Sequence, residues 1–416
     1  MRIAHVITRM IIGGAQENTL LNCLDLIDDF GDEVLLICGP STGPEGNLLE
    51  QQGVVSTARA SGNVRDDSSH SDAGAGQWAT QIVADRLPVR CIDSLRRNIH
   101  PWHDASAALE LRRVISRFAP DVVHTHSAKG GLLGRMTAWQ CDVPAVIHSV
   151  HGAPFHDYQS ALARAFFIRC ERWAARRCHH MICVADAMTD LMVDAGVAPR
   201  TQFTTVFSGM DVQPFVDANL QRDGIRSQFG FRASDIVIGK IARLFHLKGH
   251  DDLVSAASQV VAANPNVRFL LVGDGLLRDS LQQRIDSEGL TNHFVFAGLV
   301  DPSRVPALIG GMDVLVHASY REGLARALPQ ALLAGKPVVS YDVDGAREVT
   351  IDGVTGRLVP AGDINGLANA MTMLASDADR RQQYGRAGRA RFLEQFRHQT
   401  MTRHIRQIYQ ETLDRA

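Results

Sequence analysis

Residues 313–348, DVLVHASYREGLARALPQALLAGKPVVSYDVDGARE, contain the most informative pattern in this chain. Its apolar run 314–316 predicts a short β-strand, and its polar run 319–323 predicts a turn. Apolar residues at helical spacing then predict a helix over 324–334, which a glycine and a proline terminate. A second strand over 337–341 completes a βαβ unit. The N-terminus of such a helix faces the carboxyl edge of the sheet, so we expect an anion to bind there.

Strand and helix patterns alternate along most of the chain, and they occur in two series. The first series begins with the strand 2–8, and the second begins with the strand 236–242. Alternation of this kind predicts the α/β class, with two doubly wound parallel sheets. We expect the boundaries to be as follows: an N-terminal domain over 1–207, a C-terminal domain over 208–390, and a terminal helical segment over 391–416.

One segment of the first domain departs from this alternation. Residues 56–85 are poor in large apolar side chains and rich in serine, aspartate, glycine and alanine. Such a composition cannot bury enough apolar surface to order a segment. We therefore expect a mobile surface insertion over 56–85.

The composition excludes several classes of protein. A chain of 416 residues with 45% hydrophobic content supports two cores, and a net charge of -2 argues against a nucleic-acid binder. The 7 cysteines include no Cys-x-x-Cys pair, which suits a reducing compartment and provides no zinc framework. Since the N-terminal strand does not resemble a signal peptide, we expect a cytoplasmic protein, with peripheral contact at the inner face of the membrane left open.

Two cationic side chains follow the first strand of the second series. Arg243 and Lys248 stand five positions apart in the loop after the strand 236–242. A solvated basic loop would look the same in isolation. Together with the carboxylate Glu322 in the turn at 319–323, the pair is instead a candidate for a binding site that holds an anion.

These segments resemble the signature motifs of the retaining family 4 glycosyltransferases, also described as group 1. The resemblance implies a GT-B fold, with two facing Rossmann-like domains, a ligand cleft between them, and a terminal helix that returns to the first domain. It assigns Arg243 and Lys248 to the donor diphosphate and Glu322 to the donor sugar, with Gly323 and Leu324 as further donor contacts. The family has a second glutamate eight positions after the first, but Gln330 stands here. An amide still hydrogen-bonds a ribose, without the strength of a charged group.

Further donor contacts follow from the same resemblance, and they lie in turns of the second series. Gly273 and Asp274 form a tight turn after the strand 267–272, which lets the backbone approach a ligand. Val300 matches a position that reads the base of the nucleotide. An ordinary strand-to-helix turn remains the alternative for the glycine and aspartate.

A Gly-Gly turn opens the first helix of the first domain. Gly13, Gly14 and Gln16 stand at its N-terminus, where free amides bind anions. The turn lacks the Gly-x-Gly-x-x-Gly pattern, which counts against a dinucleotide dehydrogenase. The resemblance assigns Gly14 to the donor and Gly13 and Gln16 to the acceptor or a phosphate; a close-packed turn is the alternative.

Histidines concentrate at the ends of two strands in the first domain, in HTHSAKGG at 124–131 and HSVHGAPFH at 148–156. Neither segment contains an acidic residue, so we expect no metal site there. The resemblance assigns His151 to the sugar, as a donor to one of its hydroxyls. Lys129 is a candidate for an acceptor phosphate, or else a solvated cation.

The segment 162–180 is amphipathic, with an apolar face and an arginine-rich face. It could lie on an anionic membrane. We expect instead that it buries its apolar face within its own domain, as most such helices do.

The resemblance therefore implies a metal-independent, retaining hexosyltransferase that needs no cofactor. The donor is a nucleotide diphosphate sugar such as a UDP sugar, and the acceptor is a saccharide or a lipid-linked saccharide in cell-surface polysaccharide or glycolipid synthesis. Because the chain offers no convincing nucleophile, the resemblance implies that the leaving diphosphate deprotonates the acceptor. Two rivals stay open: a sugar-nucleotide epimerase of the same architecture, and a catalytically silent nucleotide-binding homologue, which Gln330 suggests.

Overall fold

The computed structural model describes residues 1–41, 46–56, 79 and 81–415, with the backbone alone for 54–56. These residues form two compact units, one of 1–210 with 398–416 and the other of 211–397. Most of the predicted insertion lies outside the described residues. Its last part was predicted wrongly, because 81–83 pairs as a β-strand in the sheet of the first unit.

The described part of the first unit contains one nine-stranded sheet. Its strands are β1 (Arg2–Arg9), β2 (Glu33–Gly39), β3 (Val54–Ser56), β4 (Gln81–Val83), β5 (Leu87–Cys91), β6 (Val122–His126), β7 (Ala145–Val150), β8 (His180–Cys183) and β9 (Phe203–Thr205). The spatial order is β3-β4-β5-β2-β1-β6-β7-β8-β9, and β4 runs antiparallel to both of its neighbours. Every other pair is parallel.

Helices cover both faces of this sheet. They are α1 (Gly14–Asp28), α2 (Leu48–Gln51), α3 (Pro101–Phe118), α4 (Ala128–Gln140), α5 (Ala161–Ala175) and α6 (Asp186–Asp194). Successive side chains of a strand point to opposite faces, so β1 contributes Ile3 and Ile7 to one core and Ala4 and Val6 to the other. Burial on both faces explains why the strand is almost continuously apolar.

The second unit contains a six-stranded sheet in which every pair is parallel. Its strands are β10 (Ile236–Ile241), β11 (Val267–Val272), β12 (Phe294–Gly298), β13 (Val314–His317), β14 (Val338–Tyr341) and β15 (Gly356–Val359), in the order β12-β11-β10-β13-β14-β15. Its helices are α7 (Gln213–Val216), α8 (Arg222–Gln228), α9 (His250–Ala263), α10 (Arg278–Ser287), α11 (Val305–Gly311), α12 (Ala327–Leu333), α13 (Ala346–Val349), α14 (Ile364–Ser376) and α15 (Ala378–Phe392).

The last helix, α16 (His398–Leu413), belongs to the first unit. It packs on α1, where the imidazole of His398 lies 2.8 Å from the carboxylate of Asp25 and the hydroxyl of Thr402 donates to the same carboxylate at 2.7 Å. Tyr409 is fully buried in the same core. None of the described helices combines the length and the hydropathy that crossing a lipid bilayer demands.

Helix α12 begins later than predicted. The sequence pattern suggested a start at Leu324, but the helix runs from Ala327 to Leu333. Pro329 explains the difference, because a proline inside a helix has no N–H to donate and clashes with the carbonyl four residues earlier. A helix that contains Pro329 therefore has to begin within about one turn of it. The amides of Gly323 and Leu324 consequently belong to a loop, and the predicted helical N-terminus at these residues is wrong.

Candidate functional site

The order of strands in the second sheet reverses between β10 and β13, which lie side by side. Ligands of open α/β sheets bind beyond the carboxyl ends of the strands at such a reversal. The loop after β10 carries Arg243 and Lys248, and the loop after β13 carries Glu322. The topology therefore brings the two predicted motifs to one place.

Backbone contacts hold these two loops together. The amide of Tyr320 donates to the carbonyl of Leu247 at 2.8 Å, and the hydroxyl of Ser319 donates to the same carbonyl at 3.1 Å. Gly249 has a φ of +63°, and a Cβ at this position would lie 1.7 Å from the carbonyl oxygen of Ala318. The approach is thus so close that only glycine fits.

Lys248 and Glu322 form an ion pair across the two loops, with Nζ 2.5 Å from Oε1. The ring of His317 lies 3.3 Å from the same oxygen. Burial alone would raise the pKa of Glu322, but the contacts with His317 and Lys248 outweigh burial and lower this pKa to about 2. Because burial lowers the pKa of His317 below its usual value, Lys248 is the cation that holds the carboxylate at neutral pH.

Lys240 adds a cation that the sequence analysis missed. This residue of β10 is fully buried, and its Nζ has no hydrogen-bond partner among the described residues. Burial lowers its pKa to about 7, against the attraction of Glu322, which raises it. A lysine inside an apolar strand was the signal that could have revealed it, since lysines are almost never fully buried without a partner.

The turn at Gly273 and Asp274 packs directly on the loop of Arg243. The amide of Leu244 donates to the carbonyl of Asp274 at 3.0 Å, and a Cβ on Gly273 would lie 2.2 Å from the carbonyl oxygen of Ala242. Arg243 itself is exposed, with its guanidinium 5.3 Å from the ring centroid of Phe245. These predicted residues therefore share one edge of the sheet.

Among the described residues, two that were predicted to bind the nucleotide-sugar donor do not contact the ion pair of Lys248 and Glu322 through hydrogen bonds. Val300 follows β12, which is separated from β10 by β11. Gln330 lies in the middle of α12. Within the described part of the chain, no hydrogen bond joins the side-chain amide of Gln330 to Lys248 or Glu322, and the apolar side chain of Val300 can form none. Their assigned roles stay predictions.

The first sheet reverses its order between β1 and β6. Here the hydroxyls of Thr8 and Ser127 lie 2.7 Å apart, and the amide of Gly130 donates to the hydroxyl of Thr8 at 2.8 Å. A Cβ on Gly131 would lie 2.4 Å from the ring of His148. The Gly-Gly pair of α4 is therefore needed for this close packing of the helix on the strands.

A cavity of about 540 Å³ opens at this reversal. It contains the predicted residues Gln16 and Lys129. Lys129 is held by the carboxylate of Asp104 and by the carbonyl of Asn98. The remaining lining combines cationic, acidic and apolar side chains, among them Arg9, Arg97, Asp104, Glu171, Ile99, Leu132, Leu133, Pro154, Phe166 and Phe167. Gly13 and Gly14 lie at the start of α1, and neither lines this cavity.

His151 lies just after β7 and lines an adjoining cavity of about 300 Å³. Both cavities are lined by Ser127, Ala128, Pro154 and Glu171. The predicted sugar-binding histidine therefore lies next to the cavity that contains the predicted acceptor residues.

Comparison with known proteins agrees with this geometry. The family described as "Glycosyl transferases group 1" matches residues 221–391, and the "Glycosyl transferase 4-like domain" matches residues 14–206. The chain belongs to the group 1 glycosyltransferases. Its two parallel-sheet units are those of the GT-B fold, as the sequence analysis predicted.

Relatives of this glycosyltransferase act on different substrates. It is 25% identical over 301 residues (72% of its length and 77% of the relative's) to the Escherichia coli UDP-Gal:alpha-D-GlcNAc-diphosphoundecaprenol alpha-1,3-galactosyltransferase. It is 28% identical over 303 residues (70% and 78%) to the 2-deoxystreptamine glucosyltransferase of Streptomyces kanamyceticus. The structure of Anabaena Alr3699/HepE in complex with UDP and glucose superposes with a TM-score of 0.78 at 21% identity, over 99% of this chain and 100% of that one.

Helix α5 of the glycosyltransferase corrects one expectation. The amphipathic pattern predicted an apolar face buried within the domain, but in α5 only Glu171, Ala174 and Ala175 are buried. Leu162 is 86% exposed and Phe166 is 54% exposed. The first half of the helix therefore presents apolar side chains to solvent and to the larger cavity.

Histidine rings of the glycosyltransferase cluster in the first unit, as the concentration at two strand ends suggested. His5, His124 and His126 each offer a ring nitrogen within 4.8 Å of the others, a spacing that a metal ion could bridge. His124 already has two partners, because its Nδ1 lies 2.5 Å from the hydroxyl of Tyr409 and its Nε2 lies 2.8 Å from that of Ser149. The expectation of no metal site stays a prediction.

Proposed function

We propose that this glycosyltransferase moves a sugar from a UDP sugar to an amphiphilic, anionic acceptor, with retention of configuration and without a metal ion. The observation that carries the proposal is the ion pair of Lys248 and Glu322 at the strand reversal of the second sheet. It provides a fixed cation for a diphosphate beside a carboxylate for sugar hydroxyls. UDP as the nucleotide is supported by the names of the Escherichia coli relative and of the Anabaena complex.

The proposed reaction balances without a protein nucleophile. The bond between the sugar C1 and the diphosphate oxygen breaks, and a bond from C1 to the acceptor oxygen forms on the same face. The acceptor proton goes to the leaving diphosphate oxygen. Arg243 and Lys248 bind that diphosphate, and fixed cations of this kind stabilise the charge that develops on it. Glu322 and His151 orient the sugar, and the amide of Gln330 binds the ribose.

The larger cavity of the first unit supports the class of acceptor. A bare sugar presents hydroxyls, for which apolar walls offer no partner. Leu132, Leu133 and Phe167 instead suit a hydrocarbon chain. Arg97 suits a phosphate or diphosphate, and Lys129, which is paired with Asp104, would share its charge with that group. The diphosphoundecaprenol acceptor in the name of the Escherichia coli relative has both features. A lipid-linked saccharide therefore fits this cavity better than a free saccharide.

A panel of nucleotide sugars tests the function. We expect release of UDP that depends on a GlcNAc diphosphate with an alkyl chain, and a product whose anomeric configuration by NMR equals that of the donor. An acceptor without the alkyl chain should show a KM at least about tenfold higher, because each buried methylene contributes about 0.8 kcal/mol. Addition of EDTA should leave the rate unchanged.

The same panel separates the rivals. Interconversion of sugars without acceptor would support the epimerase, and binding of UDP without turnover would support the silent homologue. The relatives described above are named as transferases, which favours transfer over both. An inverted product would contradict the retaining mechanism, and loss of activity with EDTA would contradict metal independence.

Exposed apolar residues in the two segments that contribute Ile99 and Phe166 to the larger cavity support contact with a membrane. We call Ile99, Trp102, Leu162 and Phe166 the apolar rim; two of them line the cavity, and Trp102 is 81% exposed. Arginines at 96, 97 and 169 lie in the same segments and suit anionic lipid headgroups. A lipid-linked acceptor would then reach the cavity without leaving the bilayer.

Introduction of negative charge into the apolar rim should weaken binding to membranes. We expect the double variant Leu162→Glu/Phe166→Glu to bind vesicles that contain phosphatidylglycerol at least about tenfold less well than the wild type, since each side chain loses a burial of about 1.5–3 kcal/mol. Flotation of the vesicles measures this. The matched control is Leu220→Glu, because Leu220 is 85% exposed in the second unit. Equal binding by both variants would contradict membrane contact through the rim.

A further inference from the structure

Three histidine rings of the first unit form a hydrogen-bonded chain that leads from the core to His151. His5 Nδ1 lies 3.1 Å from His126 Nε2, and His126 Nδ1 lies 3.1 Å from His151 Nε2. The rings of His5 and His126 are stacked, with their planes 11° apart. The strand order brings the three histidines together, because His5 in β1 and His126 in β6 lie on neighbouring strands and His151 follows β7, the next strand.

The two buried rings of this chain are neutral at physiological pH. Burial lowers the pKa of His5 to about 3, and burial together with the neighbouring histidines lowers that of His126 well below its usual value. A neutral imidazole has one N–H and one bare nitrogen. Each contact between two nitrogens needs one N–H, so the direction of one hydrogen bond fixes the direction of the next.

His5, at the buried end of the chain, determines the direction in which the hydrogen bonds run. His5 Nε2 is buried and has no partner in the part of the chain that the structure describes. If the N–H groups pointed inwards, this nitrogen would carry an N–H without an acceptor, and buried orphan N–H groups are rarer than orphan acceptors. The favoured direction is therefore outwards, with His5 Nδ1 donating to His126 and His126 Nδ1 donating to His151. His151 then accepts at Nε2 and carries its own proton on Nδ1.

We propose that His126, supported by His5, is a positioning residue that holds His151 in the Nδ1–H tautomer. His151 lines the smaller cavity, next to the larger one. It would therefore present an N–H, rather than a bare nitrogen, to a hydroxyl or phosphate oxygen of a substrate. The consequence for turnover rests on the proposed function; the tautomer itself does not.

A metal ion at His5, His124 and His126 is the competing reading of the same cluster. It would need one bare nitrogen from each ring. Both nitrogens of His124 and both nitrogens of His126 already have hydrogen-bond partners. A metal would displace at least two of these bonds, whereas the chain of imidazoles keeps all of them.

Nitrogen-15 NMR of protein labelled at the histidine rings tests the proposal directly. Shifts and two-bond couplings distinguish a protonated from a bare ring nitrogen, and the His151→Gln variant identifies the signals of His151. We expect the wild type to show His151 with a protonated Nδ1 and a bare Nε2. A wild-type spectrum with His151 protonated at Nε2 would overturn the proposal.

Variants separate the chain from a general effect of burial. In His126→Leu we expect His151 to lose the uniform Nδ1–H form, because the N–H of His126 no longer donates to its Nε2. The matched control is His148→Leu, which also removes a buried imidazole, one that contacts Thr125 and lies outside the chain. An unchanged tautomer in His126→Leu would overturn the proposal, and so would tightly held stoichiometric zinc with the shifts of ligated His5 and His126.

Kinetics then connect the tautomer to the reaction. If His151 donates to the substrate in the transition state, His126→Leu should lower kcat on the order of tenfold with little change in KM, the loss of about one hydrogen bond. An Nδ1–H tautomer in a protein without transfer activity would contradict the proposed function and leave the inference intact. Transfer activity in a protein whose His151 is protonated at Nε2 would contradict the inference and leave the proposed function intact.

Discussion

Replacement of Lys248 by methionine is expected to lower kcat for sugar transfer by about 10²- to 10³-fold, with the fold intact. This is the usual effect of removing one fixed positive group from a site where negative charge develops. Methionine keeps the apolar stem of the side chain and removes the ammonium that contacts Glu322 at 2.5 Å. Steady-state kinetics with the UDP sugar of highest activity measure the effect, and circular dichroism checks the fold.

Two companion variants make the result specific. Lys248→Arg replaces the ammonium by a planar guanidinium that is also positively charged, so its kcat should lie between those of the wild type and Lys248→Met. Arg232→Ala is the matched control, because this cation of the second unit is 62% exposed and pairs with Asp235; its kcat should change less than about twofold. A kcat of Lys248→Met within about threefold of the wild type would remove the diphosphate role of this lysine.

The Lys248→Met variant should also change the pKa of Glu322 and the pH dependence of stability. Without Lys248 the pKa of Glu322 should rise above about 2, because the cation that holds it at neutral pH is gone. A carboxyl whose folded pKa is depressed stabilises the fold above its unfolded pKa of about 4.3, and this stability is lost as the pH falls towards 2. The stability of the two proteins should therefore differ at pH 7 and converge in strong acid.

Glu171→Ala is expected to reduce the free energy of unfolding of the first unit by about 3–5 kcal/mol. Arg135 and Glu171 form a buried ion pair at 2.9 Å, and the Nε of Arg135 also donates to the carbonyl of Gly131 at 2.9 Å. Removal of the carboxylate leaves a buried guanidinium without its counter-ion. All 4 tryptophans, at 78, 102, 139 and 173, belong to the first unit. Urea unfolding followed by their fluorescence therefore measures this effect.

The matched controls distinguish an unpaired charge from a lost contact. The double variant Arg135→Met/Glu171→Leu should recover most of the lost stability, because it removes both charges from the core. Arg86→Ala breaks a pair with Asp28 whose side chains are 42% and 43% exposed, and it should cost less than about 1 kcal/mol. Equal losses in Glu171→Ala and Arg86→Ala would contradict the buried-charge explanation.

Local sequence predicted the elements that depend on nearby residues. The apolar run at 314–316 and the glycine and proline after α12 defined their βαβ unit, because strand, turn and stop signals act over a few residues. The later start of α12 was also present in the sequence, since Pro329 excludes an earlier one. The exposed first half of α5 was not, because an amphipathic pattern does not say what covers its apolar face.

The site required the tertiary structure. Local sequence determined that Arg243 and Lys248 follow one strand and that Glu322 follows another, and the family resemblance implied that they bind one donor. Neither predicted that Lys248 and Glu322, which are 74 residues apart in the chain, form an ion pair. That ion pair depends on the parallel pairing of β10 with β13, a long-range contact that no local pattern specifies. Long-range contacts also determine the pKa of the buried Lys240 and the hydrogen-bonded chain from His5 to His151. The charge of the lysine, and the hydrogen-bond partners and tautomers of the histidines, depend on residues that are neighbours in space but not in sequence.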